Sequence, residues 1–318
     1  MQTKRRIIAA AIEAIEGTAE TLTAANTGII VRNPAYTPDI SMLTRDVLLA
    51  TFSKLPDLTG AQMAKIDFEA EIMGRGVAYA AATLPRLDPY FKACGLAATV
   101  DETADAETVT YVRASSDIPS LTIAFLDDDG AGGAVLKQLT GARGTVAING
   151  NVGGPLYAKF SFTGAYNDVA DTAQLVASYD DIVPPQLLGT AFDVGGFTPT
   201  LPSFSLDLQN KLAGRQDMTK ASGYASFEIT DGDTRGSFDP EMVGVSIYDH
   251  YGKWKSGDMA AMAIGPIGAD QYNQIALSVP RLRATNVQET DRDGQQALNV
   301  SWQAAMTSGD DEFSLVFS

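Results

Sequence analysis

The sequence contains one cysteine, Cys94, and one histidine, His250, among 318 residues. A lone thiol cannot form an internal disulfide, and one cysteine with one histidine cannot build the ligand clusters that hold structural zinc. No apolar run reaches the roughly 18 residues that cross a bilayer as a helix. The chain begins like a signal peptide, but Glu13 and Glu16 cut the apolar run short and no clean cleavage site follows. These absences predict a soluble protein made in reducing conditions, without cofactor, metal or membrane.

Positive charge is also scarce. The chain has 23 Lys and Arg against 39 Asp and Glu, for a formal net charge of −16. Binding duplex DNA requires clustered basic residues, so a broad DNA-binding surface is excluded. With 45% hydrophobic and 19% charged residues, the sequence is typical of a folded protein, and it is long enough for two domains.

Catalytic motifs are missing as well. No P-loop and no dinucleotide-binding glycine pattern is present. His250 has no nucleophile-elbow motif to act on, and the acidic turns at Asp127–Asp129 and Asp231–Asp233 lack the ligand spacing of an EF-hand. The sequence therefore predicts a non-enzyme with no catalytic, cofactor-binding or metal-ligating residue.

A weak internal repeat is present at an offset of 140 residues. Ile66–Arg75 aligns with Leu206–Arg215, and Ala158–Phe162 aligns with Leu298–Trp302 at the same offset without a gap. Arg143 likewise falls on Arg283. Apolar residues keep their alternation in both pairs, so the same face would be buried twice. The pattern predicts a duplicated domain, and two like domains in one chain suit a ring or shell.

The predicted fold class is mainly β, with two tandem β-sandwich or barrel domains that contain little helix, and a long extended N-terminal arm. Residues 1–60 are predicted as a helix and the arm, 61–170 as the first domain, 171–202 as the connection and 203–318 as the second domain. The helix is expected over residues 4–16, where Ile8, Ile12 and Ile15 fall at helical spacing.

Single elements follow from local patterns. Alternation over residues 65–73 predicts a half-buried strand, and a Pro near the start and Gly95 at the end predict a helix within 84–95. A hairpin is expected over 144–164, with a turn at 153–155. In the second copy a strand is expected at 244–248, residues 230–240 read as a loop, and no matching helix is evident.

Several short motifs occur in an order that resembles the tail tube (major tail) proteins of long-tailed bacteriophages. They are Thr23–Asn26, the short strand Ile29–Val31, Asn33-Pro34, Thr37-Pro38 and Arg45. The strand and terminal glycine at 66–76 and the helix that ends in Ala93-Cys94-Gly95 fit the same family. The resemblance is plainest over residues 18–165.

The resemblance implies a structural virion protein whose subunits join their sheets around a ring, and whose rings stack into a tube through which DNA leaves. Many members have one domain and form hexamers. Two domains in this chain predict three chains per ring with pseudo-sixfold symmetry. The expected partners are the chain itself, other tail proteins at the tube ends, and DNA as passing cargo, with assembly in the host cytoplasm. The alternatives are an inner-tube protein of a contractile injection system and a secreted β-sandwich binding protein.

Two groups of site residues are predicted. The segment from Thr18 to Thr59 is expected to pack against another subunit, and its candidate contact residues are Ile29, Ile30, Val31, Asn33, Pro34, Pro38 and Arg45. A conduit for a polyanion should repel it, which favours negative walls. The candidate lumen-lining residues, on the polar faces of the two repeated segments, are Asp67, Glu69, Glu71 and Asp207.

Overall fold

The structure is a computed structural model, and it describes residues 5–318. It is mainly β, with 51% of residues in strands and 5% in helices, which confirms the predicted class. Every strand pairing described is antiparallel, and the sheets do not close into a barrel. In chain order the strands are β1 Arg6–Ile12, β2 Val31–Leu43, β3 Leu58–Glu71, β4 Leu96–Asp101, β5 Thr108–Arg113, β6 Leu121–Asp128, β7 Gly133–Asn151, β8 Tyr157–Tyr166, β9 Ala170–Ala173, β10 Phe192–Val194, β11 Ser203–Asp207, β12 Lys211–Gln216, β13 Tyr224–Asp231, β14 Arg235–Phe238, β15 Met259–Ile267, β16 Ile275–Arg292, β17 Gln295–Ala304 and β18 Ser314–Phe317.

Within residues 5–318, two short α-helices and one turn of 3-10 helix, Ala24–Asn26, accompany the strands. Helix α1 spans Asp88–Ala93, inside the predicted range, and α2 spans His250–Ser256. Asp249 caps α2 by accepting a hydrogen bond from the Gly252 amide, and Gly257 ends it in the left-handed region at φ 75°. The second helix was not predicted.

The predicted N-terminal helix is wrong. Its described part is strand β1, which pairs with β6 from Arg6 opposite Asp127 to Ile12 opposite Leu121. Ile8, Ala9 and Ala10 are consecutive and all buried, since β1 is covered on both faces. Such a strand reads as a continuous apolar run, and that pattern alone cannot distinguish it from a buried helix. Residue 4 of the predicted helix lies outside the described residues.

The same set of strand pairings occurs twice along the chain. In the first strand set, β6 pairs with β1 and β7, β8 pairs with β7 and β3, β3 pairs with β2, and β9 pairs with the start of β7. In the second strand set, β15 pairs with β10 and β16, β17 pairs with β16 and β14, β14 pairs with β11, and β18 pairs with the start of β16. Helix α1 follows β3 and α2 follows β14, in matching places.

The two strand sets are joined by direct pairing of β7 with β11, from Ser203 opposite Asn151 to Asp207 opposite Ala147. Two hairpins are additional. The β4–β5 hairpin joins β18 through β5, and the β12–β13 hairpin forms a separate two-stranded sheet beside β7 and β8. The largest buried cluster includes Phe160, Phe238 and Trp302, so the core is continuous between the strand sets.

Three further predictions in the second half differ from the structure. Leu206 lies in β11, in the place that β2 occupies in the first strand set, whereas β14 takes the place of β3. The aligned segments 66–75 and 206–215 are therefore not in equivalent positions, although 158–162 and 298–302 are, in β8 and β17. Residues 244–248 form turns rather than a strand, and the expected loop at 230–240 contains β14.

Candidate assembly surfaces

One polar sheet face crosses both strand sets. Directly opposed residues in antiparallel strands point to the same side. A continuous row of such residues runs across eight strands: Arg32, Glu69, Lys159, Ala147, Asp207, Arg235, Gln303 and Arg283. The opposite side of the same strands carries buried apolar residues, among them Phe68, Leu206 and Trp302. This polar face is built from both halves of the chain, on β2, β3, β8, β7, β11, β14, β17 and β16.

All four predicted lumen residues lie on the polar face. Glu69 and Asp207 belong to the row, and Asp67 and Glu71 flank Glu69 at alternate positions of β3. The sequence alignment that grouped these four residues does not correspond to equivalent positions in the structure. They share a face because of the register of the strands. The four carboxylates are partly buried, and each has a residue opposite it on a neighbouring strand.

The polar face carries both signs of charge. Basic side chains at Arg32, Lys65, Lys159, Arg235 and Arg283 point to the same side as the four acids. Arg32 lies 2.6 Å from Glu69 and its guanidinium stacks over the Tyr157 ring at 3.4 Å. Between the charges lie neutral polar residues such as Ser205, Ser237 and Ser301, which face one another across neighbouring strands. The face is therefore a mixed polar surface rather than a uniformly acidic one.

The β2–β3 hairpin extends beyond the sheet. Its hairpin tip, residues 39–59, is exposed almost throughout, and the loop between the strands spans residues 44–57. Leu48 and Phe52 are as exposed as in an extended chain, at 103% and 108%. Large exposed apolar side chains on one projection indicate a contact surface. The others on the tip are Ile40, Met42, Leu43, Val47, Leu49 and Leu58.

The predicted contact residues fall in different environments. Arg45 is exposed on the hairpin tip and Pro38 lies at its base in β2. Ile30 and Asn33 are exposed, whereas Val31 and Pro34 are half-buried beside the sheet. Ile29 is 7% exposed and packs in the chain's own core. Ile29 therefore offers little surface to a partner.

Two strand edges of the polar face have no partner within the described residues. β2 pairs only with β3, which leaves its outer edge open. In β16, residues up to Arg283 pair with β15 on that side, and the Thr285 carbonyl accepts a hydrogen bond from the Trp254 indole of α2. Within the described residues, 286–292 pair with no strand other than β17. An open edge presents unpaired amide and carbonyl groups that another strand can bind. The sequence gives no local signal for the β16 edge, because it depends on where β15 ends.

The two residues with the most reactive chemistry are buried. Cys94 is 0% exposed at the end of α1, and burial raises the pKa of its thiol, which disfavours the reactive thiolate. His250 is 5% exposed, and burial lowers its pKa. The imidazole packs edge-on against Phe197 and Tyr248. Within residues 5–318, no group of three or more His, Cys, Asp or Glu is placed to hold a metal ion.

The acidic turn considered for calcium is occupied by ion pairs. Asp127 contacts Arg6 at 2.8 Å and Lys137 at 2.6 Å, and Asp128 contacts Arg5 at 2.7 Å. These pairs connect the start of β1, and also β7, to the end of β6. Neither helix of the described chain is long and apolar enough to cross a membrane.

A polar sheet face shared by two strand sets, open strand edges and an apolar projecting hairpin define a β-structured assembly protein. A comparison with protein families agrees with that class. Residues 3–304 match the family of phage tail tube proteins. The match covers nearly the whole chain, and the chain belongs to this family, so it is a structural protein of a phage tail. No curated protein matches the chain.

Proposed function

We propose that this chain polymerises as stacked rings into the tail tube that conducts DNA during ejection. The observation that carries the proposal is the polar face with an open edge at each end, one on β2 and one on β16. A sheet that ends in two open edges of one molecule can be continued by further copies. Copies related by rotation then close a ring.

Each ring contains three chains with pseudo-sixfold symmetry. Support comes from the two strand sets, which have the same strand pairings and would occupy six quasi-equivalent positions. The proposed repeated units are residues 61–170 and 203–318, and they share one core. The first unit also takes in β1 and β2, because both pair within the first strand set.

The polar face lines the lumen, and the apolar opposite side forms the packed wall. Asp67, Glu69, Glu71 and Asp207 then line the bore together with their basic neighbours. A wall with interspersed charges has little net potential at the distance of a passing phosphate, because opposite charges within a Debye length cancel. DNA would slide past such a wall without strong attraction or repulsion.

The hairpin tip packs against another subunit, within a ring or between rings. Its apolar residues are exposed in the single chain, Leu48 and Phe52 completely, and a stable interface of this kind should bury at least about 1,000 Å². Arg45 belongs to this hairpin tip, Asn33 and Pro38 lie in the edge strand β2, and Ile30 directly precedes that strand. Assembly would take place in the host cytoplasm, with other tail proteins at the ends of the tube.

Electron microscopy of the purified protein tests the proposal. The expected result is rings or tubes at high protein concentration, with threefold symmetry and three chains per ring by mass measurement. A uniform monomer at all concentrations would overturn the tube assignment, and six chains in a ring would overturn the stoichiometry. A contractile injection system would be indicated by sheath density around the tube.

A further inference from the structure

The strand β7 shows how a strand set accepts a neighbour. On one side, β7 pairs with β8 and then with β9. On the other side its first part pairs with β6 and its last part, Ala147–Asn151, pairs with β11. This last pairing joins the two strand sets in one chain.

The neighbours of β16 correspond to those of β7, except that no described strand takes the place of β11. On one side it pairs with β17 and then with β18, and on the other side its first part pairs with β15. Its last part, where β7 would bind β11, has no strand on that side within the described residues. The strand that corresponds to β11 in the first strand set is β2, which has an open edge.

Residue equivalences follow from the register. Ser161 in β8 and Ser301 in β17 are 140 residues apart and occupy the same place. Ser161 lies opposite Thr145 in β7, and Ser301 lies opposite Asn286 in β16. Two residues further along each strand, Ala147 of β7 therefore corresponds to Gln288 of β16.

On the other side of the two serines, the equivalences continue to the outer strands. Ser161 lies opposite Asp67, which lies opposite Ala35 in β2. Ser301 lies opposite Ser237, which lies opposite Ser205 in β11. Ala35 therefore corresponds to Ser205, and Thr37 corresponds to Asp207.

We propose that β16 of one chain pairs antiparallel with β2 of the next, in the register that β7 and β11 show within the chain. Gln288 then lies opposite Thr37 of the next copy, and Thr290 lies opposite Ala35. This inference rests on the proposed ring and specifies its intermolecular joint. The polar face continues through the joint because all four residues point to that face and are exposed in the single chain.

The chemistry of the two edges fits this pairing. At the joint within the chain, Ala147 lies opposite Asp207 and Asn149 lies opposite Ser205. All four side chains are of small or medium size, and three of them are polar. Gln288, Thr290, Thr37 and Ala35 are of the same kind. None of these four residues is charged, so the two proposed pairs bring no like charges together. Asn33, with φ 51°, marks the bulge that leads into this part of β2.

Engineered cysteine pairs test the register, since a disulfide requires Cα atoms within about 7 Å. Two variants carry the proposed opposite pairs, Gln288→Cys with Thr37→Cys and Thr290→Cys with Ala35→Cys. Two controls cross the same four sites, Gln288→Cys with Ala35→Cys and Thr290→Cys with Thr37→Cys, which displaces each pair by about 7 Å along the strand. The native Cys94 is buried and is left unchanged in all variants.

Each variant is oxidised under assembly conditions and analysed by non-reducing electrophoresis, with electron microscopy of the same sample. The geometry control is Ala147→Cys with Asp207→Cys, whose pair lies opposite within one chain and should close without a change in mass. The proposed pairs should give crosslinked dimers and trimers at least ten times more abundantly than the crossed pairs.

The outcomes separate the joint from the tube. Tubes without crosslinks in the proposed pairs, although the geometry control closes, would overturn the joint and leave the proposed function standing. Crosslinks in the crossed pairs instead would overturn the register. Absence of both tubes and crosslinks would overturn the joint together with the proposed function.

Discussion

Glu13 is buried just beyond the end of β1, at 8% exposure, and its carboxylate accepts four hydrogen bonds. The donors are the hydroxyls of Ser120 and Thr122 and the amides of Gly17 and Gly141, at 2.6 to 3.0 Å. A buried carboxylate is tolerated when its oxygens are saturated in this way. One side chain therefore holds the N-terminal segment to β7 and to the start of β6.

Glu13→Ala should lower the free energy of unfolding by about 2–4 kcal/mol, because it leaves several buried donors without an acceptor. Denaturant unfolding of the unassembled protein measures the change. The control is Glu228→Ala, whose side chain is 49% exposed beside Arg215 and should cost no more than about 0.5 kcal/mol. Equal losses in both variants would show that the hydrogen bonds of Glu13 add no more to the free energy of unfolding than an exposed ion pair does.

Asp180 links the loop before β10 to the segment around α1. Arg86 donates two hydrogen bonds to it, at 2.7 and 3.0 Å, and Arg75 lies 3.2 Å away. The hydrogen bonds from Arg86, with the charge of both arginines, lower the pKa of the Asp180 carboxyl despite partial burial. A carboxyl with a lowered pKa in the folded protein stabilises it above the unfolded value of about 3.9, and this contribution is lost as pH falls through the folded pKa.

Asp180→Asn should therefore lower the free energy of unfolding by about 1–2 kcal/mol at pH 7, as expected for lost hydrogen bonds between charged groups. At a pH below the folded pKa of Asp180, the variant and the parent should be nearly equal. Urea unfolding at pH 7 and at acidic pH measures both differences. A difference that does not shrink on acidification would rule out the ionised carboxylate as its source.

At the level of elements, alternation and glycine punctuation predicted β3, the β7–β8 hairpin and α1, although β3 begins at Leu58 rather than at 65 and β7 begins at Gly133 rather than at 144. The errors have physical causes. β1 is covered on both sides, so its isoleucines happened to fit a helix as well. α2 is only seven residues long, and β14 is four residues within a Gly- and Asp-rich stretch, so neither provides enough periodicity to detect. Which strand pairs with which, and hence the open β16 edge, depends on tertiary register.

The loop of the hairpin tip, residues 44–57, can be removed without deleting any paired strand residue. Leu43 lies opposite Leu58, so residues 44–57 can be replaced by Asn-Gly, a sequence that favours the two-residue turn of a hairpin. The shortened protein should stay folded, with a melting temperature within a few degrees, because the loop has almost no buried residue. It should fail to form long tubes in electron microscopy.

A milder variant, Leu48→Ser with Phe52→Ser, keeps the loop and removes its two most exposed apolar side chains. It should weaken tube formation and lower aggregation of the monomer. Deletion of the whole segment 18–58 would not test the tip by itself, because it removes Ile29 from the core and β2 from the sheet. Normal tubes from the shortened protein would exclude the loop 44–57 as an assembly contact.

For the whole molecule, the mixed charge of the polar face leads to a prediction about DNA. Replacing its four acids by amides, as Asp67→Asn, Glu69→Gln, Glu71→Gln and Asp207→Asn, should leave an excess of basic residues on the proposed lumen wall. Tubes of this variant should retain duplex DNA at low salt, with an affinity that falls steeply as salt rises. Co-sedimentation of DNA with assembled tubes measures the effect.

The matched control changes four exposed acids outside the polar face, as Asp168→Asn, Asp171→Asn, Asp181→Asn and Asp258→Asn. It alters the net charge of the chain equally and should leave DNA retention unchanged. Equal retention by both variants would mean that net charge matters and the polar face does not. A density map with these four acids on the outside of the tube would exclude them from the lumen.

The pairing of β7 with β11 also bears on how fast rings form. Because the two strand sets are covalently connected, this joint forms at an effective concentration set by the chain itself rather than by the amount of protein present. Of six joints in the proposed ring, three exist before any two molecules meet. Initiation of a ring from three chains should then depend on the third power of protein concentration, where six separate single-unit chains would give the sixth. A duplicated subunit would therefore start a tube from far more dilute protein.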